Sequence, residues 1–390
     1  MEEKREFDEI RPYEAAEMRQ AFEELLADRQ FSTIIKGFVP WLPKSLRNAL
    51  LKTAFIGVKT PLDFQLRFMK PIVKYIMRKH TDGVTFDDQA LLATGPAYEQ
   101  RYTFVSNHRD IVLDSALLDK LLVDAGFKTT CEIAIGDNLL SLPWVKDLVR
   151  INKSFIVERS LQPREMLLAS KRLSEYMHFV IQEKNDNVWI AQREGRAKDS
   201  DDRTQPAILK MMAMGGTGTP SERLQQLHIV PLSISYEFDP CDFLKAREFQ
   251  LRRDNPEWKK GKNDDVVSMQ TGIMGFKGHV HYHCAPCIDE YLQQLPADTP
   301  KTEFFDIVAA HIDSEIHRNY RLYPSNYIAA DMLDGTSFAK EGKYTEADRQ
   351  QFEAYLQGQL NKIDLADKDI PFLRERMLTM YANPLRNKMK

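Results

Sequence analysis

The polar run Ser106-Asn107-His108-Arg109-Asp110, followed by Ile111-Val112-Leu113-Asp114, sets an imidazole close to two carboxylates where an apolar run gives way to a helical one. A His in that position can be oriented and kept basic by a carboxylate, and can then remove a proton from a hydroxyl near neutral pH. The same residues also read as a surface loop in which Asp114 only caps the helical stretch that follows, and spacing alone does not separate the two readings. Within the catalytic reading, two carboxylates compete. Asp110 follows Arg109 directly and is open to neutralisation by it. Asp114 stands where the helix starts, so a rigid element fixes its place, and it is the expected partner of His108. Asp110 is the alternative.

Three further segments carry chemistry-bearing residues. Arg193-Glu194-Gly195-Arg196-Ala197-Lys198 offers cations around a glycine that permits a tight turn, a combination able to grip a phosphate or carboxylate or to form an ordinary solvated loop. Phe155-Ile156-Val157-Glu158-Arg159-Ser160 ends an apolar run in an arginine. Ile229 to Glu237 (IVPLSISYE) by itself is only a strand.

The elements that must position these residues follow from hydrophobic pattern. Strands are expected at 102–106, 130–135, 154–158, 187–192, 229–236 and 279–284, with helices at 111–125, 163–183 and 205–213 between them. Strands alternating with helices give an α/β class, a mixed sheet flanked by helices, and the loops at the carboxyl ends of its strands are where such proteins place active sites. Helical extensions are expected at both ends: 1–90 before an α/β core at 91–296, and 297–390 after it. Charge is uneven in the first extension. Residues 1–30 carry ten acidic and five basic side chains, whereas 31–80 carry ten Lys/Arg and a single acid, Asp63, interleaved with Phe31, Phe38, Trp41, Phe55, Phe64, Phe68 and Tyr75. Helix in 31–80 is broken at Pro40, Pro43, Pro61 and Pro71. The stretch reads either as basic helices packed on the domain or as an interfacial segment whose aromatics enter lipid headgroups while Lys/Arg meet anionic lipid.

Taken in order, the four segments resemble the four motif blocks of the glycerophospholipid acyltransferase family, which comprises glycerol-3-phosphate, dihydroxyacetone-phosphate and lysophosphatidate acyltransferases. His108-Arg109 matches the first block, Arg159 ends the second, Glu194-Gly195-Arg196 resembles the third, and Val230-Pro231 the fourth. The segment GHVHYHCAPCIDEYL resembles the family's last strand and turn. The chain departs from the pattern in three places. Five residues rather than four separate His108 from Asp114, Lys153 stands where the second block usually has Gly, and Arg196 follows Gly195 directly. Arg109, the Glu158-Arg159-Ser160 run and Tyr236-Glu237 lean towards the glycerol-3-phosphate branch. The resemblance implies transfer of a fatty acyl group from a thioester of acyl carrier protein or CoA to the hydroxyl of an anionic glycerolipid acceptor at a membrane surface. In that reading His108 is the base, Arg109, Arg159, Glu194, Gly195, Arg196 and Lys198 bind the acceptor, and no metal or redox cofactor takes part. An amino-acid lyso-lipid is a second acceptor class. A non-catalytic lipid-binding protein on the same scaffold is the alternative outside enzymes.

Other signals carry less. His279, His281, His283, Cys284 and Cys287 contain zinc-type ligands, but the segment reads as a final strand. The glycine-rich stretch Gly215–Pro220 lacks the features of a nucleotide-binding loop, and no Gly-x-Ser-x-Gly elbow exists. Four cysteines in 390 residues do not make a secreted disulfide framework. A net charge of −3 gives no whole-chain case for nucleic acid, and none is expected as a partner. With no apolar run of membrane-spanning length and a polar, acidic start, the expected location is cytoplasmic, peripheral on the inner face of the membrane.

Overall fold

Apolar β-branched and aromatic runs bounded by turns form seven strands in the computed structural model, which describes residues 6–38, 41, 43–140, 142–159, 161–261, 263–296 and 298–390. Pro40 and Ser160 lie outside the described residues. The strands are β1 (Gly83–Asp87), β2 (Thr103–Ser106), β3 (Cys131–Gly136), β4 (Ser154–Val157), β5 (Asn187–Ala191), β6 (Ile229–Tyr236) and β7 (His279–Cys284). They form one sheet in the order β1-β7-β6-β2-β5-β3-β4. Every neighbouring pair is parallel except β6 and β7, so the sheet is mixed, as expected. β1 escapes the sequence pattern: it is a five-residue, half-buried edge strand with one partner. The sheet therefore begins at residue 83, inside the segment expected to be helical.

β2 and β6 are buried along their whole lengths, as central strands covered on both faces must be. Alternate side chains enter two cores. Val105 joins Tyr176, Leu209, Val308 and Ile312 on one face. Phe104 joins Val73, Leu117, Leu121 and Tyr282 on the other. The helix Lys301–Arg318 thus covers the sheet from within the C-terminal extension, and Ser233 Oγ donates to Ile316 O at 3.0 Å. The helices Pro324–Asp334, Glu346–Asn361 and Ile370–Lys388 form a further core with the helix Asp242–Asp254.

The N-terminal helices close a small core of their own. Phe22 stacks on Phe55 at 3.7 Å, and Phe31 and Phe64 are buried beside them. Of the two readings of 31–80, packing on the domain describes Phe31, Phe55 and Phe64, because a neighbouring helix, here Ala15–Ala27, offers them an apolar face; the side chain of Phe38 lies outside the described residues. Trp41 and Ile56, each 74% exposed, and Leu46, Leu50, Ile72 and Tyr75 remain on the surface. Of the expected breaks, Pro43 and Pro61 open helices, and Pro71 sits in the first turn of Lys70–His80, after the π-helical turn Gln65–Met69. That turn docks on the domain through Gln65, whose Nε2 donates to buried Asp119 Oδ2 at 2.9 Å. Among the described residues, no helix is long and apolar enough to cross a membrane.

Candidate active site

Because β2, β4, β5 and β6 are parallel or share the same direction through β2 and β3, their carboxyl ends open on one edge of the sheet. The first three motif segments end at that edge; the fourth reaches it only at Tyr236-Glu237, while its Val230-Pro231 lie near the start of β6, beside Phe104 and Val105. The loop after β2 is pinned first. Buried Asn107 bridges to the backbone of β6, donating to Ile234 O at 2.9 Å and accepting from Ile234 N at 2.8 Å. His108 follows. Its Nδ1 lies 2.8 Å from Asp114 Oδ2, and Asp114 is fully buried. The same carboxylate oxygen accepts the amides of Arg109 at 2.6 Å and Asp110 at 3.0 Å. Trp189 of β5 meets the imidazole edge-on at 5.6 Å, and its Nε1 donates to Ser106 Oγ at 3.1 Å. Held on one side by Asp114, the ring makes no hydrogen bond through Nε2 to any described residue, which leaves that nitrogen for a substrate proton.

The extra residue between His108 and Asp114 is taken up by Asp110. Its Oδ1 accepts the amides of Val112 at 2.9 Å and Leu113 at 2.8 Å, closing a turn just before the helix Leu113–Ala125. Asp110 therefore closes the turn that leads into the helix, and Asp114, in the first helical turn, reaches the imidazole. Burial, and then the charge of Asp114, push the Asp110 carboxyl above its usual range.

Arg109 departs from its expected role in acceptor binding. Its guanidinium is buried and donates to both carboxylate oxygens of Asp202, at 2.9 and 2.6 Å, with the Tyr320 ring 5.8 Å away. Tyr320 also donates to Asp202 Oδ2, and His317 Nε2 lies 2.8 Å from Asp202 O. A buried guanidinium needs a counter-charge, and here the protein supplies it. Lys198 departs in the same way: it is paired with Glu248 of the helix Asp242–Asp254, and burial pulls its ammonium below the usual lysine range.

Arg159 and Arg196 are placed differently. β4 lies three strand spacings from β2, about 14 Å, but Arg159 leans back across β3. A Cβ on Gly136 would stand 2.5 Å from Asn138 Oδ1 and 2.9 Å from Arg159 Cζ, so a larger residue there would displace these side chains. Arg159 Nη1 then lies 3.6 Å from Glu194 Oε1, joining the second and third segments. Gly195 turns the chain at φ +69°. Arg196 lies within electrostatic reach of Asp239 and Cys241, yet its Nη1, like Arg193 Nε, is buried without a protein partner among the described residues. Lys153, in the usual glycine position, has φ +62°. Glycine adopts that φ without strain; here Nζ, its three protons shared among Thr129 Oγ1, Thr130 O, Thr130 Oγ1 and Asp186 Oδ1, holds the lysine there.

Residues 84–235 match a family model described as Acyltransferase. The chain carries an acyltransferase domain. All four motif segments of this acyltransferase end within or just past the matched stretch. Comparison with curated proteins returns no match. Among solved structures, the acyltransferase is similar to the 1-acyl-sn-glycerophosphate (LPA) acyltransferase PlsC from Thermotoga maritima, at 12% identity over 76% of this chain and 96% of that one, with a TM-score of 0.38. Sequence reasoning missed Asp202, Tyr320, Trp189 and Gly136. The first two act on the acyltransferase loop from 93 and more residues away, a separation at which no periodic signal exists.

Proposed function

We propose that the protein transfers a fatty acyl group from a thioester of acyl carrier protein or CoA to a hydroxyl of glycerol 3-phosphate or a lysophospholipid, in membrane lipid synthesis. The observation that carries this reading is the His108–Asp114 contact of 2.8 Å at the carboxyl edge of the sheet. Asp114 fixes the imidazole with its proton on Nδ1. Nε2 then takes the proton from the acceptor hydroxyl as its oxygen attacks the thioester carbonyl. The C–S bond breaks, and the departing thiolate receives that proton from His108. The attack is direct, with no covalent enzyme intermediate, and needs no metal or redox cofactor. Arg159 and Arg196, with Glu194 and Gly195 setting the turn between them, hold the acceptor's anionic group; the orphaned nitrogens of Arg196 and Arg193 support this. The exposed Trp41, Ile56 and Tyr75, on a stretch with ten Lys/Arg, support peripheral attachment to an anionic membrane face on the cytoplasmic side.

The test is incubation of the purified protein with labelled acyl donor and a panel of glycerol phosphate and lyso-lipid acceptors, read by mass spectrometry. Turnover with an anionic glycerol-based acceptor is expected, with a loss of roughly 10²–10⁴-fold in His108→Ala. Equal turnover by His108→Ala would sink the mechanism.

A further inference from the structure

The edge of the sheet opposite His108 holds a second constellation of reactive side chains. Because β7 runs antiparallel to β6, the chain leaving β7 returns to the start of β6. Ala285 N donates to Pro231 O at 2.9 Å and Ile288 N to Ile229 O at 3.0 Å, zipping residues 285–288 along β6 towards His228. His228, Cys287 and Asp289 come together there. One ligand atom from each lies within 4.8 Å of the others, and His228 Nδ1 is 2.5 Å from Asp289 Oδ2.

Two observations point beyond a simple ion pair. Asp289 Oδ1 is buried and has no partner among the described residues, so half of the carboxylate's acceptor capacity is unused. His228 has φ +46°, a left-handed conformation uncommon for a non-glycine residue. The conformation delivers the imidazole to the cluster. All three residues are half-buried, so the site is walled by protein yet reachable from solvent.

We propose that His228, Cys287 and Asp289 bind one divalent transition-metal ion, zinc by preference, with water in the fourth position. The donor set decides the class of ion. Nitrogen, sulfur and oxygen together suit zinc, whereas calcium and magnesium take oxygen alone. A thiolate and a carboxylate balance the two positive charges, and the thiol proton leaves to solvent as the Cys287–metal bond forms. The remaining cysteines, Cys131, Cys241 and Cys284, are buried and lie outside this ligand set. A second grouping, Asp82, Glu237 and His279, has no sulfur, which gives the two sites different signatures. The metal takes no part in acyl transfer. It clamps the start of β6 to the turn after β7, where the sheet changes from parallel to antiparallel pairing.

The test uses the full chain, treated with chelator and titrated with cobalt(II) as a spectroscopic stand-in for zinc. One equivalent should produce a thiolate-to-cobalt charge-transfer band, zinc should displace it, and zinc should raise Tm. Cys287→Ser should abolish the band, and His228→Asn should weaken cobalt binding, Asn being chosen because it tolerates the left-handed backbone. The second variant keeps the proposal exposed should the first fail to fold. Absence of a thiolate band, or a band unchanged in both variants, overturns it. Cobalt bound without thiolate character assigns the metal to the sulfur-free grouping and also overturns it.

Discussion

Asp202 receives both terminal nitrogens of Arg109, at 2.9 and 2.6 Å, and so ties the residue next to His108 to the loop after β5. Asp202→Ala leaves a buried guanidinium without its counter-charge, and breaking such pairs costs about 3–5 kcal/mol. Chemical denaturation should show that loss. Activity should fall at temperatures where the variant is still folded, because Arg109's amide helps to hold Asp114. A stability change below about 1 kcal/mol, the worth of one hydrogen bond, would refute the account.

Asp114 and Asp110 separate by function. Asp114→Asn is expected to lower kcat by roughly 10²–10⁴-fold, the range of a general base that loses its orientation. Asp110→Ala should cost about 0.5–2 kcal/mol, as loss of a side chain that accepts amides at a helix start does, and change kcat far less. The measurements are paired: turnover and denaturant midpoint for each variant. A larger kcat loss in Asp110→Ala at equal stability would reverse the assignment.

Arg159→Ala and Arg196→Ala should raise the acceptor KM and leave the donor KM within a few-fold, since both are assigned to the acceptor's anionic group. Removing a charge-assisted contact costs about 1.5–3 kcal/mol, or roughly tenfold and upward in KM. Lys198→Ala should leave the acceptor KM nearly unchanged, because Glu248 already occupies its ammonium. Equal effects on donor and acceptor would count against the assignment.

Anionic vesicles should bind the protein, with binding that falls as salt rises. The double variant Trp41→Ala, Ile56→Ala removes two side chains that are each 74% exposed, so it should float less without losing stability. Phe55→Ala should instead destabilise the N-terminal core by about 3–5 kcal/mol. Flotation insensitive to the first change would place the contact elsewhere.

The six strands that lie within or beside the core were legible because their apolar runs are continuous or alternate cleanly. β1 was not, since GVTFD is short and paired on one side only. His108 and Asp114 could be read because strand, loop and helix are consecutive there, and a turn closed by one aspartate absorbs one extra residue. The roles of Arg109 and Lys198 could not. Sequence shows that a cation is present, but its counter-ion, Asp202 or Glu248, arrives from 93 or 50 positions away. The aromatics of 31–80 illustrate the same limit: composition makes Phe55 and Trp41 equivalent, and only the position of Phe22 separates them.

The pairing of β1 with β7 sets a timetable for synthesis. Thr85 and His281, neighbours in that pair, are 196 residues apart in the chain. At roughly 5–20 residues per second, β1 leaves the ribosome on the order of 10–40 s before its partner exists. Tyr320, which completes the Asp202 cluster, emerges later still. Between those points the nascent chain holds an unsealed strand edge and an incomplete loop after β2, a period in which binding by a chaperone has the most to protect.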